Sequence, residues 1–500
     1  MPLDFAPDGG DEAALSQVSV SVHDVGAATY PQRPPFDPPE AYPELTPRPS
    51  LLDSQNRIYP AVRETLHQLG LDAGRFGTAS WNPFGDIVRP GDRVVVKPNL
   101  VRHFHGDGLT TESLITHGSI LRAILDYTLV ALRGQGKLTV GDSPLQYADF
   151  PTCMRLSGAE AVLQSVRERT RFDVRAVDFR KERSEKRDGI IISRIPNNGD
   201  PMGYRAVELG DSSRFRGLGE RSPRFRVTQY DPATMNLSHS PVRNAYLFPA
   251  TILDADVVIN LPKLKTHRKA GITAAMKNLV GINGSKDWLP HHTFGSVAEG
   301  GDEYLAPCWR KRVSSTVRDR MEAAESRFAK RFWKTVDRGV LATRRFLPLP
   351  DPYFEGSWYG NDTIWRTVHD LHRVLFFADR DGIIRDTPQR RYLALIDGIV
   401  AGEREGPMHP SPKRGGVLVA STNPLAADLV CCRLMGFDER KLPVLNFAVG
   451  NGFHPALARA EEIDLRANVE RWTRLFSLKR AETLAFEPSS GWKGHIELEG

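Results

Sequence analysis

The residues best equipped for chemistry lie in one run, 254–292, D-A-D-V-V-I-N-L-P-K-L-K-T-H-R-K-A-G-I-T-A-A-M-K-N-L-V-G-I-N-G-S-K-D-W-L-P-H-H. Four lysines (Lys263, Lys265, Lys269, Lys277) stand among small and apolar residues. Lysines are almost never buried unpaired, so this density calls for an anionic ligand or carboxylate partners. Lys263 and Lys265 are expected to hold a carboxylate or phosphate. Asn260 and Asn278 flank the lysines as further ligand-binding groups. His267 is the candidate general acid/base, because an unperturbed imidazole titrates near working pH. Lys277 is an anion clamp or the anchor of a covalent cofactor. His291 or His292 is a candidate metal ligand, although no acid–histidine spacing typical of zinc sites is present.

These residues need a scaffold. Val257-Val258-Ile259 is a β-branched run bounded by Asp256 and Asn260, which reads as a buried strand. Pro262 cannot donate to a sheet ladder, so regular pairing should stop near Asn260. The polar residues then fall just past a strand's C-terminal end, where open α/β sheets bind ligands. The small residues of 271–281 let backbone amides approach a ligand closely. Four more apolar runs end in polar clusters: Lys97-Pro98-Asn99, Gly141-Asp142-Ser143, Asp397-Gly398 and Thr422-Asn423. A helix expected over 117–133 separates the first two of these strands, which makes a βαβ unit with parallel strands. If all five strands are parallel, their clusters form one composite site. Asp142, Asp397 and Asp428 would then bind a metal or orient the lysines and His267. The expected fold is α/β, a mainly parallel sheet with helices on both faces, a ligand site at the strand C-terminal ends and a helical insertion.

The chain has 500 residues, more than one hydrophobic core usually spans. The expected divisions are a Pro-rich extension over 1–50, a first core part over 51–300 with an irregular excursion at 180–245, a helical basic insertion over 301–385, and a second core part with a tail over 386–500. Val18–Val22 reads as an edge strand, 401–414 as a loop, and 309–346 as one helical segment interrupted at Gly339. Net charge is +6. Residues 310–345 alone hold twelve Lys/Arg against four Asp/Glu, so the remainder is slightly acidic. Basic charge concentrated in one peripheral segment, without a recognised module, argues against a nucleic-acid role. It fits attachment to an anionic membrane surface or an acidic protein partner.

The four cysteines form no C-x-x-C pair, and no iron–sulfur cluster, zinc ribbon or disulfide framework is expected. No apolar run approaches 18 residues and the acidic N-terminus lacks an apolar signal core, so a cytoplasmic location is expected.

Several blocks together resemble a family: V-V-V-K-P-N-L, G-D-S-P, D-V-V-I-N-L-P-K-L-K-T-H, A-A-M-K-N-L-V-G, L-I-D-G-I and T-N-P-L-A-A-D, in order between about 93 and 436, look like the domain of unknown function 362 family. Some members carry a ferredoxin-like module whose cysteines this chain lacks. A second likeness is to the lactate racemase family. There a histidine, a small-residue run, a lysine and a later histidine follow in order, and the lysine carries a nickel-pincer nucleotide. His267, Lys277 and His291 or His292 echo that order, with Ala274-Ala275 where the family has glycines. The resemblance implies an enzyme with a metal or nickel-pincer-type nucleotide cofactor. The chemistry would be isomerisation, racemisation or oxidoreduction on a small oxyacid. The alternative is a non-catalytic binding or scaffold protein acting through 309–346.

Overall fold

The computed structural model describes residues 18–26, 29–45, 51–187, 190–345, 348–450, 453–457 and 460–499. The acidic N-terminal stretch and the last residues of the Pro-rich extension (46–50) lie outside them. The main sheet has ten strands: β1 Val18–Asp24, β2 Arg93–Pro98, β3 Lys137–Asp142, β4 Val174–Asp178, β5 Val257–Leu261, β6 Lys263–His267, β7 Gly271–Thr273, β8 Arg391–Glu405, β9 His409–Ser421 and β10 Ile463–Ala467. Its order is β10-β1-β9-β8-β5-β2-β3-β4, with β6 beside β8 and β7 beside β6. Six of its strand pairings are parallel and three antiparallel. The fold is therefore mixed α/β with a mostly parallel sheet.

Strand side chains alternate between faces, and here both faces are buried, which is why the strands read as continuous apolar runs. Val94, Val96, Val257 and Ile259 enter one core, packed by helices α1 (Ile58–Gln68) and α2 (Gly118–Leu132). Val95 and Val258 enter the other. Five further helices follow in the chain. These are α3 (Ala275–Asn278), α4 (Trp309–Ala323), α5 (Arg327–Ala342), α6 (Ile364–Phe377) and α7 (Pro424–Leu434). Of these, α3, α6 and α7 supply buried side chains to the second core.

Four expectations need correction. First, β9 runs antiparallel to β8, so Thr422-Asn423 does not join the clusters at the parallel strand ends. Asn423 instead caps α7, its side chain accepting from Leu425 and Ala426 N–H. Second, 401–414 is not a loop: β8 and β9 form one long hairpin that continues past the sheet. Third, Val18–Val22 is not an edge strand, because β1 lies between β9 and β10. Fourth, the break in the basic segment falls between Ala323 and Arg327, where Ser326 caps α5, while Gly339 is accommodated inside α5. Pairing does lapse at Pro262, yet it resumes beside β8 with a register shift, so Lys263–His267 is a strand.

One buried ion pair fastens the N-terminal strap to the sheet. Lys263 Nζ donates to Asp397 Oδ2 at 2.7 Å and to Tyr30 Oη at 2.7 Å, and Tyr30 Oη donates to Asp397 Oδ1 at 2.6 Å. Tyr30 also stacks on His117 with ring centroids 4.1 Å apart. Removing one member leaves the other charge buried and uncompensated. Lys263→Met should therefore cost about 3–5 kcal/mol of folding stability in urea titrations. The double variant Lys263→Met/Asp397→Leu should recover at least about half of that loss. Strictly additive losses would contradict the pairing.

Candidate functional site

A cavity of about 250 Å³ opens at the C-terminal ends of β2 and β3, beneath β6 and α3. Five lysines line it: Lys97, Lys265, Lys269, Lys277 and Lys286. Two carboxylates also line it, and both are already paired. Asp142 holds Lys97 at 2.8 Å, and Glu355 holds Arg318 at 2.6 Å. Three of the other lysines are met by neutral groups, and Arg268 pairs with Glu405 at 3.4 Å. Lys265 Nζ donates to Asn99 Oδ1 and to the Leu114 carbonyl, each at 2.6 Å. Lys286 Nζ donates to the Ser143 carbonyl at 2.7 Å. Lys269 Nζ donates to Thr228 Oγ1 at 3.2 Å and to the Glu355 carbonyl. Lys277 has no hydrogen-bond or ion-pair partner among the described residues, although it is only 7% exposed.

Electrostatics follow from this placement. Burial disfavours an ammonium, and neighbouring cations disfavour it further. Burial first, then Lys286, Lys97 and Lys269, push Lys277 down to about 7. Burial brings Lys286 and Lys269 down to about 8. Lys265 is held well below the usual lysine range by burial and by Lys263.

The two cavity imidazoles are both held well below their ordinary value, by burial first and then by neighbouring cations, so both are neutral near pH 7. Their hydrogen bonds assign opposite tautomers. His267 Nδ1 accepts from the backbone N–H groups of Lys269 (3.1 Å) and Ala270 (3.2 Å), which places its proton on Nε2. His291 Nδ1 lies 2.6 Å from the Leu289 carbonyl and must donate to it, which leaves a lone pair on Nε2. The cavity thus holds one imidazole donor and one imidazole acceptor.

Other residues singled out in the sequence support the site from behind. Asn260 Nδ2 donates to the Ala275 carbonyl at 2.8 Å, and its Oδ1 accepts from Asn278 Nδ2 at 2.7 Å. Asn278 Oδ1 in turn accepts from Asn99 (2.8 Å) and Lys97 (3.1 Å). Asp428, on α7, accepts the backbone N–H groups of Ala275 (2.6 Å) and Met276 (3.0 Å). It caps the helix that carries Lys277, and burial raises its carboxyl to about 7. Gly281 lies against the Lys97–Asp142 pair, where a Cβ would run into both side chains.

Three expected ligand groups stand apart from the cavity. Lys263 and Asp397 are consumed by each other and Tyr30. His292 faces another wall, with Nδ1 3.3 Å from Lys269 Nζ, so it does not join His291. Ser143 is among the lining residues, and its carbonyl accepts from Lys286. Sequence reasoning passed over Lys286, whose G-S-K-D setting has the same small-residue signature as the other lysines. It also passed over the wall formed by 227–230 and Met408, which carries no chemical signal of its own.

A metal at His267 Nε2 would need the proton on Nδ1, where two N–H groups already point. No group of three His, Cys, Asp or Glu side chains among the described residues could hold a metal ion. The residues do not fit a metal held by side chains alone.

Among known proteins, a thylakoid-associated protein of Synechocystis sp. is 23% identical over 374 residues, which cover 75% of this chain and 72% of that protein. The model of the family described as Domain of unknown function (DUF362) matches residues 216–433, so the blocks around Lys97 and Asp142 precede the match. No helix among the described residues is long and apolar enough to cross a membrane. The matched region supplies Lys265, His267, Lys277, Lys286 and His291 to the cavity, and it holds four of the six blocks by which the sequence resembles that family.

Proposed function

We propose that the cavity is an enzyme active site that binds a small oxyacid through its carboxylate or phosphate and moves a proton on it, in isomerase or racemase chemistry. The observation that carries this reading is Lys277, a buried amine with no partner in a cavity lined by four other lysines. A cavity with surplus cationic capacity is completed by an anion. Lys97, paired with Asp142, supplies positive charge, and Lys265 is held in place by Asn99 and the Leu114 carbonyl. Lys277 changes charge near neutral pH, which suits a group that must both take and return a proton. The His267 Nε2–H donates to an oxygen on which negative charge develops. The His291 Nε2 lone pair accepts from a substrate hydroxyl. The acid/base role expected of His267 therefore passes to Lys277, because the His267 imidazole stays neutral.

Two outcomes follow. Sulfate keeps one charge state between pH 6.5 and 8.5, so its affinity reports on the protein. The Lys277 ammonium is lost as pH rises through about 7. Calorimetry should therefore show sulfate binding weakening by about tenfold across that range, with proton uptake on binding. Lys277→Met should lower the slope below about pH 7.5, while Lys269 and Lys286, which lose their charge near 8, keep the part above it. A pH-independent affinity, or the same slope in the variant, would contradict the reading.

The second outcome concerns turnover. A panel of 2-hydroxy and phosphorylated acids in deuterated water should show exchange of one substrate C–H in the intact protein. Exchange should drop about 10²–10⁴-fold in Lys277→Met, and by a smaller factor in His267→Phe. Exchange that persists in Lys277→Met would remove Lys277 from the proton-transfer role.

A further inference from the structure

The basic helical hairpin is not used by the cavity, and its charges are sorted. Asp319 and Asp337, two of its acids, turn inward. Asp319 pairs with Arg226 at 3.1 Å, and Asp337 accepts from Arg318 at 3.2 Å and from Ser314. Glu322 is also partly buried, so no acid of either helix stands on the outer face. The outer face of α4 carries Trp309, Arg312, Val313, Thr316 and Arg320, at helical spacing. That of α5 carries Arg327, Phe328, Phe332, Thr335 and Arg338. Phe328 is 83% exposed, Trp309 69% and Phe332 52%. A solvated basic face needs no aromatics, and isolated exposed apolar residues would not recur at i and i+4.

We propose that this face docks on an anionic lipid surface. Aromatic side chains at the level of lipid headgroups, flanked by arginines that outnumber the acids beside them (Glu299, paired with Arg312 at 2.8 Å, and Glu325 in the turn), match the interfacial helix pattern in which apolar burial and electrostatic attraction act together. The hairpin is firmly mounted for this. Arg318 holds Glu355 and Lys311 holds Asp351, so the outer face is presented by a braced base. Arg226 and Glu355 also belong to the segments that wall the cavity or adjoin it, so docking sets the body on the membrane through the cavity's outer wall. This inference does not depend on the chemistry proposed for the cavity.

Flotation of the full chain with vesicles of phosphatidylcholine alone, or mixed with phosphatidylglycerol, tests it. The protein should float with the anionic vesicles, stay behind with the neutral ones and be released at high salt. Phe328→Ser/Phe332→Ser and Arg327→Glu/Arg338→Glu should each lower partitioning by about tenfold or more. Unchanged circular dichroism and an unchanged thermal unfolding midpoint would show that these variants fold. Equal flotation of the variants, or no flotation of the parent chain, would overturn the proposal. So would a parent dimer that the aromatic variant dissociates, or binding to duplex DNA without binding to vesicles. The first result would assign the face to a second copy, the other to nucleic acid.

Discussion

Burying more ammonium groups than there are carboxylates to meet them is the constraint on which this structure turns. A charged group inside a low-dielectric interior must be paired, satisfied by dipoles, or neutralised. All three solutions occur here within one sheet edge. Lys97 and Lys263 are paired, with Asp142 and Asp397. Lys265 and Lys286 rest on amide and carbonyl oxygens. Lys277 has neither remedy, and burial, then the surrounding cations, drive it toward the neutral amine. The last of these is the chemically interesting one, because it leaves a titratable group whose charge a ligand can change.

The sheet explains why the groups converge. Parallel strands β2, β3 and β5 bring Lys97, Asp142 and Asn260 to one edge in register. Asn260 then positions Asn278, which bridges Asn99 and Lys97. Asp428 reaches across from α7 to hold the backbone of α3, so a residue far along the chain fixes where Lys277 projects. The absence of a Cβ at Gly281 lets that turn approach the Lys97–Asp142 pair. Each of these supports is a residue whose own hydrogen bonds are satisfied inside the protein. Lys277, His267 and His291 keep atoms available to the cavity.

Much of this was legible in the sequence because burial on both faces leaves an unbroken apolar signal. Val94–Val96 and Val257–Ile259 announce their strands, and the polar residues that end them announce the site. What was not legible depended on direction and distance. Nothing in Gly416–Ser421 says that it runs antiparallel, so Thr422-Asn423 was placed at the wrong edge. Lys263 and Lys265 are two residues apart on a strand, yet one is locked by Asp397 and Tyr30 while the other lines the cavity. The partner that decides this, Tyr30, comes from a Pro-rich stretch with no periodicity to betray it. Tautomers were likewise beyond reach, since they follow from the Leu289 carbonyl and from two N–H groups of the turn after His267.

The most direct test is to titrate Lys277 itself. Lysine labelled with carbon-13 at the ε position, assigned by comparison with Lys277→Met, reports the charge of that amine by NMR. The account predicts a midpoint near 7 in the free protein. It predicts a midpoint higher by about one pH unit or more once sulfate fills the cavity, since a bound anion favours the ammonium. A midpoint in the ordinary lysine range, or one that saturating sulfate leaves unmoved, would contradict it.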